Sequence, residues 1–371
     1  MNSRIIMAFA AVLALGSAGF SQTSTAVAYT YTTLAFPGAT SSTAIAINNH
    51  NAVVGTYSLG VTGTHSFLWQ NGTFTTIDFP GASSTYASGI NDFGDIVGTY
   101  VVGNFQSHGF LRHNGAFTTI DFPGFAGASG ATGINNSGVI VGNYGNSQGY
   151  VLTNGTFKTL NAPQLNSGEA IDTELESINN QGWITGRVFT GDNWRGFWYV
   201  NGEFDFLEPP FSLDNVVSGS NGHGDIVGCE GGATSFLSFA VESNEGTESP
   251  ERFPTIEVLN PPSGICPTGI NYARVIVGGS YMGVPALTLN VTSPVNHGTY
   301  SNPVSVAASA SGVNSISQIQ VWVNSKEVYH VNGSSLSANL TLALGNNERF
   351  VVQAIDSKGM VAKVVETVTV K

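Results

Sequence analysis

Residues 89–100 read GINDFGDIVGTY, and the pattern returns as GINNSGVIVGNY at 133–144. Taken alone, Asn91, Asp92 and Asp95 look like an ion-binding or catalytic loop, rich in side-chain oxygens ahead of a β-run. The spacing argues otherwise. A glycine closing Ile-Val-Gly or a variant of it stands at Gly55, Gly98, Gly142, Gly186, Gly228 and Gly278, at intervals of 43, 44, 44, 42 and 50 residues. An asparagine seven residues earlier (Asn48, Asn91, Asn135, Asn179, Asn221 and Asn271) keeps the same intervals. A site is usually unique, whereas a structural device is repeated. Asp92 and Asp95 become Asn136 and Val139 in the third copy, so the roughly six oxygens of a calcium loop are not preserved. The asparagine reads as a turn-capping residue, and no metal site is expected.

Each copy reads as four short strands, in the second copy at 86–90, 95–100, 108–113 and 117–122. Asn-Gly, a strong hairpin signal between β-rich runs, recurs at Asn71-Gly72, Asn114-Gly115, Asn154-Gly155 and Asn201-Gly202. Antiparallel four-stranded units of about 43 residues make propeller blades. YTYTTLAF (29–36) is a fourth-type strand with nothing before it, and PALTLNV (285–291) reads as a third-type strand with nothing after it. The expectation is an all-β chain whose six-bladed propeller (29–289) closes by pairing those two segments, which removes free sheet edges.

Composition bounds the function. Charged residues are 10% of the chain and the formal net charge is −12, so no basic stripe exists for nucleic acid. Arg4 followed by IIMAFAAVLALGSAG and small residues has the pattern of a secretory signal peptide, assigned to residues 1–28. Cleavage after Ser21 or after Ala28 fits equally, and no membrane span is expected after removal. The apolar run is too short for a confident membrane helix. In an oxidising compartment Cys229 and Cys266 could form one disulfide. No spacing suggests zinc, and no cofactor is implied.

The motifs HSFLWQNG (65–72), HGFLRHNG (108–115) and FTTIDFPGA (74–82) resemble the bacterial extracellular HAF repeat family over about residues 29–289. The His-x-Phe triplet is kept at His65-Ser66-Phe67 and His108-Gly109-Phe110. It departs at Gln148-Gly149-Tyr150, Arg195-Gly196-Phe197, Thr234-Ser235-Phe236 and Pro285-Ala286-Leu287. The resemblance implies an extracellular repeat fold and carries no activity with it. Residues 290–371 resemble a bacterial immunoglobulin-like β-sandwich of about seven strands, with Trp322 as the expected core aromatic.

Candidate chemistry is sparse. His65 and His108 hold equivalent places in neighbouring units and are expected to pack rather than bind metal. The one G-x-S-x-G match, Gly145-Asn146-Ser147-Gln148-Gly149, lies between two β-runs and not at the strand-to-helix turn of a nucleophile elbow. Asp172, Glu174 and Glu176 alternate along a first strand and so share a face, about 7 Å apart; Glu174 and Glu176 would be the acid/base pair of a carbohydrate-active hydrolase or lyase. The acidic run VESNEGTESPE (241–251) reads as a surface loop. Unit four also breaks the repeat with Asp192, Trp194 and Arg195, preceded by Glu169 and Asp172, an aromatic platform beside charges that suits a sugar ring. The reading is a secreted, non-enzymatic binding or surface-interaction protein, with an extracellular glycan or cell-surface component as partner. A hydrolase or lyase is the alternative.

Overall fold

The computed structural model describes residues 24–371 apart from 61–62, 104–105, 126, 164–171, 208–214, 223–224, 231–233, 240–254, 260–265 and 295–297. Regular structure among the described residues is entirely β. Five successive antiparallel sheets of four strands cover residues 41–76, 84–120, 129–159, 173–206 and 215–259, each in simple sequence order. Local sequence explains the hairpins: at Asn71-Gly72, Asn114-Gly115, Asn154-Gly155 and Asn201-Gly202 both residues have positive φ, 51° and 83° in the first pair, as a type I′ turn requires. The repeated glycine is fixed by close approach. A Cβ on Gly98 would lie 2.0 Å from the Tyr86 carbonyl oxygen and 2.8 Å from the Phe110 ring. The third-strand aromatics Phe67, Phe110, Tyr150 and Phe197 fill that space and are fully buried.

Neighbouring sheets join through apolar clusters. Ala52 and Val54 pack with Ala87 and Ile90, Val97 with Ile134 and Ile140, and Val141 with Leu175 and Ile178. Trp198 and Val200 pack with Val217 and Ile226. Val227 then meets Ile270 and Ile276 of a further sheet, whose Val275 and Val277 pack against Ala44 and Ile47 of the first. The contacts return to their start, so the arrangement is propeller-like.

The repeated asparagine stitches this circle. Asn135 shows the pattern: its Oδ1 accepts the N–H groups of Ser137 and Val139, both at 3.0 Å. Its Nδ2 donates to the Asn179 carbonyl in the next sheet at 3.2 Å. The equivalent inter-sheet bonds run from Asn48 to Asn91 (3.0 Å), Asn91 to Asn135 (3.3 Å), Asn179 to Asn221 (2.8 Å) and Asn221 to Asn271 (3.1 Å). Asn271 then donates to the Asn48 carbonyl at 3.1 Å. All six side chains are buried, at 3–6% exposure.

Closure involves more of the chain than the sequence reading allowed. The N-terminal strand Ser24–Thr33 pairs antiparallel with the long strand Tyr281–Ser293 over its whole length, with a bulge between Ala28 and Tyr29. Thr30–Thr33 pair with 281–284, and that part of the long strand pairs with Ile276–Gly278, completing the sheet that begins at Gly269–Ile270. Residues 24–28 pair instead with 287–291, which on their other side pair with Val304–Gly312. The expected partnering of 29–36 with 285–291 is therefore corrected: 281–284 form the third strand of this unit, and Leu287, Leu289 and Val291 belong to the next core. One unbroken strand, Tyr281–Ser293, runs through both sheets, and the register changes within it at Ala286, opposite the bulge.

Arg274 and a disulfide tighten the last joint. Arg274 has φ of 60° where other units place Asn51, Gly94, Gly138 or Gly182. Its guanidinium bonds Asp225, which is wholly buried, at 2.7 and 3.2 Å, and its carbonyl accepts the Tyr29 hydroxyl at 3.0 Å. Cys229 and Cys266 form a disulfide with Cα atoms 5.5 Å apart.

Past residue 287 the chain forms two facing sheets, one of five strands (299–370) and one that continues the composite sheet. Their core holds Leu287, Val306, Val321, Val352 and Phe350. Phe350 is its fully buried aromatic, whereas the expected Trp322 is only partly buried, on the opposite side of its strand from Val321. Strand alternation gives the reason: Ile319 and Val321 point inward, so Trp322 points away.

Replacing Asn135 by alanine removes the acceptor of two backbone N–H groups and the donor to Asn179. We expect a loss of about 2–3 kcal/mol in urea unfolding; a loss under about 0.5 kcal/mol would contradict the stitching role.

Candidate functional site

The residue after each ring asparagine builds a second circle on the turn face. The Oδ1 atoms accept the backbone N–H of the equivalent residue one unit earlier: Asn49 from Tyr272 (2.8 Å), Asp92 from Asn49 (2.8 Å), Asn136 from Asp92 (2.9 Å) and Asn180 from Asn136 (2.9 Å). These side chains also converge. Oδ2 of Asp92 accepts Nδ2 of Asn49 at 2.9 Å, of Asn136 at 2.7 Å and of Asn180 at 3.4 Å. Asn180 lies two units from Asp92, so this cluster reaches across the mouth of the circle. Burial pushes the Asp92 carboxyl upward, but the Asn136 and Asn49 amides, the Asn49 N–H and nearby His50 outweigh it and hold the group below its usual range.

The second circle lapses at Gly222 and Tyr272, which carry no equivalent acceptor. A Cβ on Gly222 would stand 3.1 Å from the Tyr272 ring, so the missing side chain is what seats that ring. Tyr272 is 56% exposed and Phe93, beside Asp92, is 75% exposed. The mouth thus presents aromatic surface next to a ring of carboxamides around one carboxylate. The sequence reading passed over this group because the whole turn was assigned to the scaffold. The legible signal was the position after the repeated asparagine, polar in four units and Gly or Tyr in the last two.

The residues singled out in unit four lie elsewhere. Glu174 and Glu176 do come together, but around Arg187: its Nη2 is 2.6 Å from Glu174 Oε2, and its Nε is 3.6 Å from Glu176 Oε1. Ser147 also bonds Glu174, at 3.2 Å. The guanidinium thus occupies the space that a substrate between two catalytic carboxylates would need. Glu176 falls at the bulge of its strand, between Leu175 and Ser177, which breaks the expected even alternation. Solvent reaches 31% of its side chain, yet burial dominates and raises its carboxyl, opposed by Arg187 and reinforced by Glu174.

Trp194 carries the Arg187 guanidinium over its ring at 4.5 Å and packs beside Phe189 at 5.3 Å. One face of the expected platform is therefore taken. Arg195 turns to the fourth strand, stacking on Phe206 at 5.5 Å and donating to the Leu207 carbonyl at 3.4 Å. Asp192 is exposed, Asp172 is partly buried with its carbonyl accepting the Phe189 N–H, and Glu169 and the run 241–251 lie outside the described residues.

The histidines have partners that the sequence reading missed. His65 Nδ1 meets Asp78 Oδ2 at 2.8 Å and His108 Nδ1 meets Asp121 Oδ2 at 2.9 Å. In the third unit Asn161 and Gln148 make the corresponding contact at 2.5 Å. Each pair ties a third strand to the end of the fourth, and each histidine stacks 5.2 Å from Tyr57 or Tyr100. Among the described residues no group of three His, Cys, Asp or Glu side chains could hold a metal ion. Among them, too, no helix is long and apolar enough to cross a membrane.

Residues 288–354 match the bacterial Ig domain family. No curated protein matches the chain by sequence. Solved structures similar in fold include YCF48 bound to D1 peptide, 12% identical over 69% of this chain and 96% of that one, with a TM-score of 0.38. An arginine-to-alanine mutant of AofleA from Arthrobotrys oligospora is 12% identical over 88% of this chain and 95% of that one, with a TM-score of 0.39. TolB from Acinetobacter baumannii is 12% identical over 90% and 68%, also at 0.39. These likenesses are loose. The protein is all-β and propeller-like, and its C-terminal part is similar to a bacterial Ig domain.

A carboxyl raised in the fold favours its protonated form there. Its stabilising contribution is therefore full below the unfolded-state value and lost as pH rises through the folded one. Glu176→Gln should then be more stable than the parent at pH 7, with the difference vanishing near pH 4 in urea unfolding. A less stable Gln variant at pH 7 would show that ionised Glu176 is needed by Arg187.

Proposed function

We propose that the protein is a secreted six-bladed β-propeller that binds a neutral glycan, without catalysis, at the mouth ringed by Asn49, Asp92, Asn136 and Asn180. The six-blade count is supported by five four-stranded sheets, by the composite sheet that the N-terminal strand completes, and by the return of the asparagine bonds from Asn271 to Asn48. Secretion is supported by the signal-peptide pattern and by the disulfide, which persists in oxidising compartments. The HAF-like motifs agree with an extracellular repeat protein.

The observation that carries the ligand reading is the Asp92 cluster beside exposed Tyr272. A carboxamide has two N–H hydrogens, and Asn49, Asn136 and Asn180 each direct one bond to Asp92. The remaining hydrogens are donors for neutral oxygen acceptors such as sugar hydroxyls. The Tyr272 ring offers a face for the apolar side of a pyranose. The ionised Asp92 and the net charge of −12 disfavour anionic ligands. Catalysis is disfavoured because Arg187 fills the space between the unit-four carboxylates.

A screen of neutral polysaccharides and oligosaccharides with the full secreted chain tests this. For the ligand found, Tyr272→Ala and Asn136→Ala should each weaken binding about tenfold or more, a loss of about 1.4 kcal/mol. Trp194→Ala should leave affinity unchanged. Binding lost with Trp194 and kept without Tyr272 would move the site to the opposite face.

A further inference from the structure

The N-terminal strand serves two cores at once, and this bears on where the chain is processed. Residues 30–33 complete the last sheet of the circle, and residues 24–28 form the outer strand of the first sheet of the C-terminal sandwich. The changeover is the bulge between Ala28 and Tyr29. Five residues, Ser24 to Ala28, pair in register with Val291 to Leu287. Those partners include Leu287, Leu289 and Val291, all fully buried, and Ala28 itself packs against the same core.

The sequence offers two leader junctions, after Ser21 and after Ala28. Cutting after Ala28 would remove the whole outer half of the strand and leave the Leu287–Val291 segment as an open, apolar sheet edge, which invites pairing between molecules. Cutting after Ser21 leaves every paired residue in place.

We propose that the leader is removed by hydrolysis of the Ser21–Gln22 peptide bond, so that the mature protein keeps Ser24–Thr33 as one strand shared by circle and sandwich. Water adds across that amide, leaving a carboxylate on Ser21 and a free amino group on Gln22. The proposal rests on the secretion reading above, and one experiment separates the two. The full chain is expressed in a secreting bacterial host and the intact mass of the protein in the exported fraction is measured. The mass of residues 22–371, with or without loss of ammonia from an N-terminal glutamine, is the expected result. The mass of residues 29–371 would overturn the processing site while leaving secretion intact. Failure of export, or an uncut chain, would overturn both. Chains made to start at residues 22 and 29 provide the structural check: the shorter one should melt at lower temperature and form oligomers. An equally stable, monomeric shorter chain would overturn the shared-strand account.

Discussion

A buried carboxamide is the constraint on which the rest depends. Burying a polar group is costly unless it is hydrogen-bonded, and here six asparagines are buried at the places where neighbouring sheets meet. Their geometry satisfies that demand. The Oδ1 closes the local turn by accepting N–H groups two and four residues on, as with His50 and Ala52 on Asn48. The Nδ2 reaches the next sheet's backbone, and in three units its second contact is also present: Asp95 for Asn91, Asp225 for Asn221 and Asn51 for Asn271. Aspartate would supply the acceptor without the donor, and serine is too short to do both. The same side chain thereby fixes a turn and a sheet-to-sheet distance, which accounts for its recurrence.

Because the turn-closing acceptor and the inter-sheet donor recur in every unit, function falls to residues that differ between units. At the position after the ring asparagine, four polar side chains continue the pattern, and Gly222 and Tyr272 break it. The break creates the asymmetric feature of the mouth: a tyrosine seated on a glycine at the edge of an amide cluster. Unit four also breaks the repeat, but Glu174, Glu176 and Trp194 are engaged with one another through Arg187. Departure from a repeat thus points to a candidate site only when the departing side chains reach solvent, as Tyr272 does at 56% exposure, whereas Trp194 is partly buried.

The sequence period alone revealed the strands, the hairpin turns and the scaffold role of Asn48 and its equivalents, because these depend on local geometry. Their Asn-Gly signals and spacings survive without knowledge of neighbours. The His65–Asp78 and His108–Asp121 pairs are equally legible, since Gln148 and Asn161 keep the same 13-residue separation, but they lie within a unit and a comparison of equivalent positions between units does not bring them out. Arg187 was illegible as a bridge because its meeting with Glu176 depends on a bulge, and bulges leave no mark in an alternating pattern. The double service of the N-terminal strand was hidden for a related reason. Residues 281–293 form one unbroken strand in which only Leu287–Val291 alternates, and the passage from one core to the other falls at Ala286, opposite the bulge.

The central claim is that the circle closes through Asn271 as firmly as it is joined elsewhere. Hydrogen exchange of assigned asparagine side-chain amides by NMR tests this most directly. Closure gives slow exchange for the Nδ2 hydrogens of Asn271, matching those of Asn91, Asn135 and Asn179, while an exposed amide such as Asn154 exchanges freely. Fast exchange confined to Asn271 and Asn48 would mean that the first and last units stand apart, and would contradict the closed ring.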